Sequence, residues 1–366
     1  MSSPNVSWGC RVTPDAVADA TPSLAEIADT AAELAELRQS AQQIMSQVWS
    51  VERSRSVLDR DASAFDDALW TTILDLGWPD VMVSQANGGA GGTLRELAVL
   101  IESAGSLAAP VPLAVTAAAA WCEDRCADGV SVLLPDPVEL RGGTVSGTFD
   151  VVSYGGVATR LLVLAGHDET AVVGVVDPTG PGVARIPLTP LDHGPAAAVS
   201  LDAAPIQVIA EGPGAERRHG DAVLRWRLGV VAELVGVAAA ANDAATDYAK
   251  VRVAFDRPIG AFQAIKHRLV DQRSAIEVGR ALVNRAADAC DRNHQDASAL
   301  VSLAAFWAID SLRPVPEGAA QVFGGIAYTW EHEAHVYLRR AATLAASLGR
   351  RAHHRRMITD WLAARG

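Results

Sequence analysis

Glu233 is the one acid inside an otherwise apolar run, Val230 to Ala241. A carboxyl group among Val and Ala resists ionisation, which raises its pKa and suits it to take a proton near neutral pH. The same residue also reads as a polar contact between subunits, or as a carboxylate paired with a neighbouring Arg. Two segments further on concentrate aromatic and charged residues: YAKVRVAFDRPIGAFQAIKH, Tyr248 to His267, and QVFGGIAYTWEHEAHVYLRR, Gln321 to Arg340. Taken bare, each marks a helix boundary, and Arg252 close before Phe255 fits a surface charge beside a core aromatic. His332 and His335 can share a helix face as metal ligands, although capping and interface contacts need the same placement. His353, His354, Arg355 and Arg356 form a basic tail, the usual pattern of a solvated helix face. The run Gly88-Gly89-Ala90-Gly91-Gly92 is not GxGxxG and lacks βαβ surroundings, so it reads as the loop before a helix starting at Leu94. Cys10, Cys122, Cys126 and Cys290 form no CxxC pair and are expected to be reduced, structural thiols.

These candidates need a scaffold, and the periodicities supply one. The chain has 366 residues, 49% hydrophobic and 20% charged, enough for a large core in several sub-domains. Residues 1–22 are polar and Pro-containing, and are expected to be disordered. Helical periods follow over 23–128, with stretches near 24–37, 62–76, 93–106 and 112–126. From about 129 to 214 the texture changes to short Val- and Leu-rich runs separated by Gly, Pro and Asp: 130–134, 143–152, 160–165 and 171–176. Helical periods return over 215–366, with helices expected at about 221–253, 258–292, 296–312, 330–347 and 350–364. The fold class is therefore mainly α with a small β domain between an N-terminal helical domain and a C-terminal helical bundle. A net charge of -12 argues against a nucleic-acid partner, although a local pocket of Arg can still take an anion. No cationic leader precedes an apolar core, and no run looks bounded like a membrane span, so a soluble, cytoplasmic protein is expected.

Taken together, the two C-terminal segments resemble the acyl-CoA dehydrogenase family. Its Arg-x-x-Phe-Gly-x-x-Ile-x-x-Phe-Gln motif is matched by Arg252, Phe255, Ile259, Phe262 and Gln263, and its Gln-x-x-Gly-Gly motif by Gln321, Gly324 and Gly325. Leu76-Gly77-Trp78-Pro79, the Gly88-Gly89 loop and Glu102 extend the resemblance back to about residue 65. It implies helix–β–helix architecture, FAD as cofactor and an acyl-CoA thioester as substrate. It also implies that both C-terminal motifs clamp the FAD of a neighbouring subunit. An Arg252 guanidinium suits a bidentate pair with the pyrophosphate, Gly324 and Gly325 admit close backbone approach, and Phe255 and Gln263 can line the cofactor. Asp256 stands where the family has Gly, an added carboxylate close to a pyrophosphate.

The resemblance also shows what is missing. Such enzymes need a carboxylate to take the α proton while the flavin takes hydride from the β carbon. Counting forward from Arg339-Arg340, which match the family's Arg-Asp pair, the usual base falls on Leu348. Counting back from Tyr248, the minority base position is Trp226. Neither side chain can accept a proton, which leaves Glu233 as the catalytic candidate of this chain. In the β unit, Leu134-Pro135-Asp136-Pro137 replaces Thr-Glu-Pro, the Gly-x-Gly-Ser-Asp loop is deleted, and the flavin-facing Trp-x-Thr becomes Val151-Val152-Ser153, keeping only the Ser153 hydroxyl. The loss is one-sided. It resembles the degenerate subunits of actinobacterial heteromeric acyl-CoA dehydrogenases, which act on bulky and sterol side-chain thioesters. The implied partners are an acyl-CoA, a second dehydrogenase-like subunit in a heterotetramer, and electron-transfer flavoprotein or a similar acceptor. A non-catalytic homologue that binds acyl-CoA or flavin without turnover is the alternative, and an oxidase or hydroxylase a more distant one.

Overall fold

The computed structural model describes residues 24–59 and 65–365, with side chains described from residue 32. The segment expected to be disordered, the start of the helix expected near 62, and Cys10 lie outside the described residues. Helices α1 (Leu24–Val48), α2 (Val51–Leu58), α3 (Asp67–Asp75), α4 (Leu94–Ser106) and α5 (Leu113–Glu123) come first. Strands β1 (Ser131–Leu133), β2 (Glu139–Arg141), β3 (Thr144–Val152), β4 (Arg160–Ala165), β5 (Val172–Val176), β6 (Val183–Leu188), β7 (Ala196–Pro205) and β8 (Gln207–Glu211) follow. Helix α6 (Pro213–Val251), a hairpin β9 (Val253–Ala254) and β10 (Arg257–Pro258), then α7 (Gln263–Asp291), α8 (Ala297–Trp307), α9 (Val315–Phe323), α10 (Ala334–Ser347) and α11 (Arg351–Ala363) complete the chain. The architecture is mainly helical with a small central β domain, as the sequence patterns imply.

The strands form two four-stranded sheets, β1-β4-β5-β8 and β2-β3-β7-β6. Only β1 and β4 run parallel; the other named pairs are antiparallel. Strand β7, AAAVSLDAAP, carries little β propensity of its own. Pairing on both edges, with β3 and β6, makes it a strand.

Helix α6 organises everything that follows. It begins at Pro213 rather than near Asp221, because Pro after Gly212 opens the first turn instead of breaking it. Its 39 residues span roughly 58 Å. Every residue from Leu228 to Ala239 is buried, so the helix runs through the core instead of along its surface. Its apolar stretch is long enough to cross a membrane by composition alone, but 83% of that window is buried inside the fold. Helices α4 and α6 meet backbone to backbone. A Cβ on Gly236 would lie 2.1 Å from the Glu102 carbonyl oxygen, and one on Gly105 would lie 2.4 Å from that of Glu233. Glycine at both positions is what lets Glu233 sit this deep. Glu102 itself is structural: buried on α4, it pairs with Arg38 at 3.2 Å and Arg280 at 2.7 Å, tying α1 and α7 together. At the other end of α4, Thr93 and Glu96 close a capping box after the glycine-rich loop.

Candidate active site

A cavity of about 780 Å³ lies where the β domain meets α5, α6 and α10. The end of β1 contributes Leu134 to Asp136, the end of β3 contributes Val151 to Tyr154, and α6 contributes Trp226, Val230 and Glu233. Helix α10 adds Arg340, Thr343 and Ser347 from the opposite side. Of the sequence candidates, Glu233, Trp226 and Ser153 therefore share one cavity. Leu348 is buried at the C-terminal end of α10, beside Ser347 but outside the lining. Val151 is 69% exposed, so an aliphatic side chain stands where the resemblance places a flavin-facing aromatic.

Glu233 is not alone. Its Oε1 accepts from Arg340 Nε at 2.7 Å and lies 2.5 Å from Nη2. Arg340 Nη1 donates to Asp192 Oδ2 at 2.6 Å, and Nη2 donates to the Tyr154 hydroxyl at 2.9 Å. All four residues are buried. Burial pulls the Arg340 pKa down, but attraction to Glu233, Tyr154 and Asp192 outweighs it and holds the guanidinium well above its ordinary value. Burial holds the Glu233 carboxyl above its ordinary value; Arg340 pulls it down only in part, and the neighbouring Asp192 adds to the rise. The short contacts describe an ion pair, the partnered form anticipated for this carboxylate. A guanidinium this close competes for the lone pairs that a base needs. Arg340, Tyr154 and Asp192 were not foreseen as one unit. The usable signal was an Arg standing where the family has Asp: a buried Arg requires a carboxylate, and Glu233 is the only acid in the apolar run.

The second group of candidates gathers on a different face. The Tyr248 and Phe323 rings pack at a tilt of 52° with centroids 5.1 Å apart, bringing the ends of α6 and α9 together. Arg252 caps α6, is exposed, and has no ion-pair partner among the described residues. Phe255 and Asp256 form the hairpin turn with φ of 53° and 61°. This is the left-handed geometry of a type I′ turn, which favours Gly and tolerates Asp, so the substitution at Asp256 leaves the turn intact. Phe255 is 88% exposed and Phe262 packs edge-on at 6.1 Å. Gln263 opens α7, and Gln321 on α9 is exposed. Gly324 has φ +70°, and a Cβ built on Gly324 or Gly325 would meet open space. An exposed guanidinium after α6 and two open glycines after α9, helix ends that Tyr248 and Phe323 bring together, fit the approach of an anionic dinucleotide.

The weaker candidates stay apart. His332 packs against Phe323, His335 stacks on Trp330, and no cluster of three metal-ligating residues occurs among the described residues. Cys122 and Cys290 are buried free thiols, with burial pushing each up to about 12.

Residues 31–125 match the acyl-CoA dehydrogenase N-terminal domain and residues 221–363 the acyl-CoA dehydrogenase C-terminal domain. The chain is similar to acyl-CoA dehydrogenase IpdE2 of Mycolicibacterium smegmatis, 30% identical over 86% of this chain and 93% of that protein. It is 32% identical to acyl-CoA dehydrogenase FadE34 of Mycobacterium tuberculosis over 78% of this chain, but spans only 40% of that protein. Among solved structures it is similar to a variant of the Tcur3481-Tcur3483 steroid ACAD, with TM-score 0.81 and 27% identity over 91% of this chain and 98% of that one. It is also similar to the ChsE4-ChsE5 complex from Mycobacterium tuberculosis, with TM-score 0.79 and 25% identity over 90% of this chain and 97% of that one.

Proposed function

The chain belongs to the acyl-CoA dehydrogenase family, and from that premise we propose that it is the subunit of a heteromeric dehydrogenase that clamps a partner's cofactor and leaves the base to the partner. The cofactor is FAD. When bound, it would supply a hydride acceptor for the β carbon of an acyl-CoA. Arg252 would hold the pyrophosphate, Gly324 and Gly325 would admit it, and Phe255, Gln263 and Gln321 would flank it. Likeness to a steroid ACAD supports a bulky or sterol side-chain thioester, and likeness to a two-component complex supports a second subunit; a heterotetramer and an electron-transfer flavoprotein type of acceptor complete the reading. A cytoplasmic location is part of the same reading.

The observation that carries this proposal is an asymmetry. The clamp face is exposed with Arg252 unpaired, whereas both base positions, Trp226 and Leu348, are apolar and the cavity's own Glu233 is locked to Arg340. Exposed apolar residues on the clamp side, Val253 at 58%, Phe255 at 88% and Tyr328 at 78%, suit coverage by a second subunit. Expressed alone, the chain is expected to be colourless or poorly soluble. Co-expressed with a dehydrogenase that carries an intact base and β domain, it is expected to yield a yellow complex. The flavin-to-polypeptide ratio is the measurement. A yellow homo-oligomer with one FAD per chain would overturn the proposal, and flavin binding without turnover beside every such partner would favour the non-catalytic alternative.

Glu233 is then a charge partner, not the base. Glu233→Gln keeps the shape and an acceptor for Arg340, so turnover of the complex is expected to change by less than about tenfold, roughly 1.4 kcal/mol. A fall of several orders of magnitude, with FAD content and assembly intact, would make Glu233 the base and assign the active half to this chain.

A further inference from the structure

The cavity holds more charge than its cation can neutralise. Glu233 and Asp192 both pair with Arg340, one guanidinium against two carboxylates. Asp192 is well supplied: Oδ2 takes Arg340 and Oδ1 accepts from the Gly194 amide at 3.2 Å. Glu233 is not. Both of its contacts with Arg340 end on Oε1, and no protein donor among the described residues reaches Oε2. Oε2 is not a sealed orphan either, because it is absent from the fully enclosed polar atoms that lack a partner. The side chain retains 8% exposure and lines the cavity. Around it the walls are mainly apolar, with Val115, Leu133, Phe149, Val230 and Leu344 among them, while Asp136, Ser153 and Thr343 add polar groups elsewhere in the lining. An anionic oxygen at the edge of an apolar chamber needs a donor, and a chamber of about 780 Å³ is the size of a small-molecule pocket.

We infer that this cavity is a binding site for a bulky, rigid, mainly apolar molecule that carries a hydroxyl group, the hydroxyl donating to Glu233 Oε2 while the hydrocarbon body fills the chamber. The inference rests on the reading above, in which this cleft holds neither flavin nor base. It deepens that reading by assigning the emptied cleft a ligand class of its own. Specificity follows from hydrogen-bond polarity. A ketone of the same shape can only accept, so against Glu233 Oε2 it sets one acceptor on another and loses affinity. The bare hydrocarbon leaves the carboxylate oxygen unpaired in a desolvated site.

Three probes separate the possibilities: androstanol, androstanone and androstane, titrated by calorimetry against the full chain, together with its partner subunit wherever the two co-purify. The expected order is alcohol tightest, at one per chain, with the ketone and hydrocarbon weaker by tenfold or more. In Glu233→Gln, Arg340 claims Oε1 and leaves the amide Nε2 as a donor in the chamber, so the preference is expected to invert toward the ketone. Val151→Trp, at an exposed position on the cavity rim, is expected to weaken all three probes alike without unfolding the chain. Equal affinities for alcohol and hydrocarbon, a preference that Glu233→Gln does not alter, or no binding of any probe would each overturn the inference. Flavin content measured on the same samples keeps the two readings apart. A chain that selects the alcohol but never supports a partner's FAD refutes the proposed clamp, whereas a yellow complex that ignores all three probes refutes only the ligand.

Discussion

Arg340→Met is expected to lower conformational stability by about 3–5 kcal/mol, the cost of leaving buried charges without their partner. The substitution retains most of the side chain's apolar bulk, so packing is not the main loss. It strands Glu233 and Asp192 together and takes the donor from the Tyr154 hydroxyl. These groups come from α6, from the loop between β6 and β7, and from the turn after β3, so the cluster also pins the β domain onto the helices. Urea midpoints at neutral pH, with Arg339→Met as the comparison, give the measurement. Arg339 is only partly buried and donates a hydrogen bond to the Leu191 carbonyl rather than pairing with buried carboxylates, so its loss is expected to cost far less. The deficit should also depend on pH. Without Arg340, burial raises the folded-state pKa of the Glu233 carboxyl further above its unfolded value. The penalty is then full above the raised pKa and shrinks as pH falls toward the ordinary carboxylate range near 4. Adding Glu233→Gln to Arg340→Met should recover part of the loss by removing one stranded charge. A midpoint shift no larger than that of Arg339→Met would show that the cluster does not hold the domains together.

Arg252→Ala is expected to weaken FAD retention by the assembled complex about 10- to 150-fold, equivalent to a charge-assisted bond of about 1.5–3 kcal/mol. The fold should not notice the change, because Arg252 is exposed and has no ion-pair partner to strand among the described residues. That separates it from Arg340, a buried Arg whose loss is first a matter of stability. Arg252→Lys should fall between wild type and Ala, since an ammonium keeps the charge but not the planar fork. Flavin absorbance per polypeptide after gel filtration is the readout. Unchanged flavin content in Arg252→Ala would refute the placement of the clamp.

Much of this protein was legible before any coordinates, and for a physical reason. Helices α7 and α10 and strands β4 and β5 announce themselves through spacing, since each buries one face or lies wholly in the core, and that requirement is local. The family resemblance was carried by short motifs whose backbone needs are also local: Gly324 at positive φ, and a turn at Phe255 and Asp256. Strand β7 was missed because Ala-rich segments have no strand preference until β3 and β6 flank them. The start of α6 was misplaced because Gly212-Pro213-Gly214 breaks a chain or begins a helix depending on what packs next. The state of Glu233 was the deeper case. From sequence it was an acid in an apolar run, free to be a base or a paired charge. Its partner lies 107 positions further along the chain, on α10, which only the packing of the helical bundle brings beside it. The sequence by itself determined the family, the order of helical, β and helical domains, and the absence of a proton acceptor at positions 226 and 348. Only the tertiary structure decided that Glu233 is held by Arg340, because a buried carboxylate takes its character from whichever cation the fold brings to it.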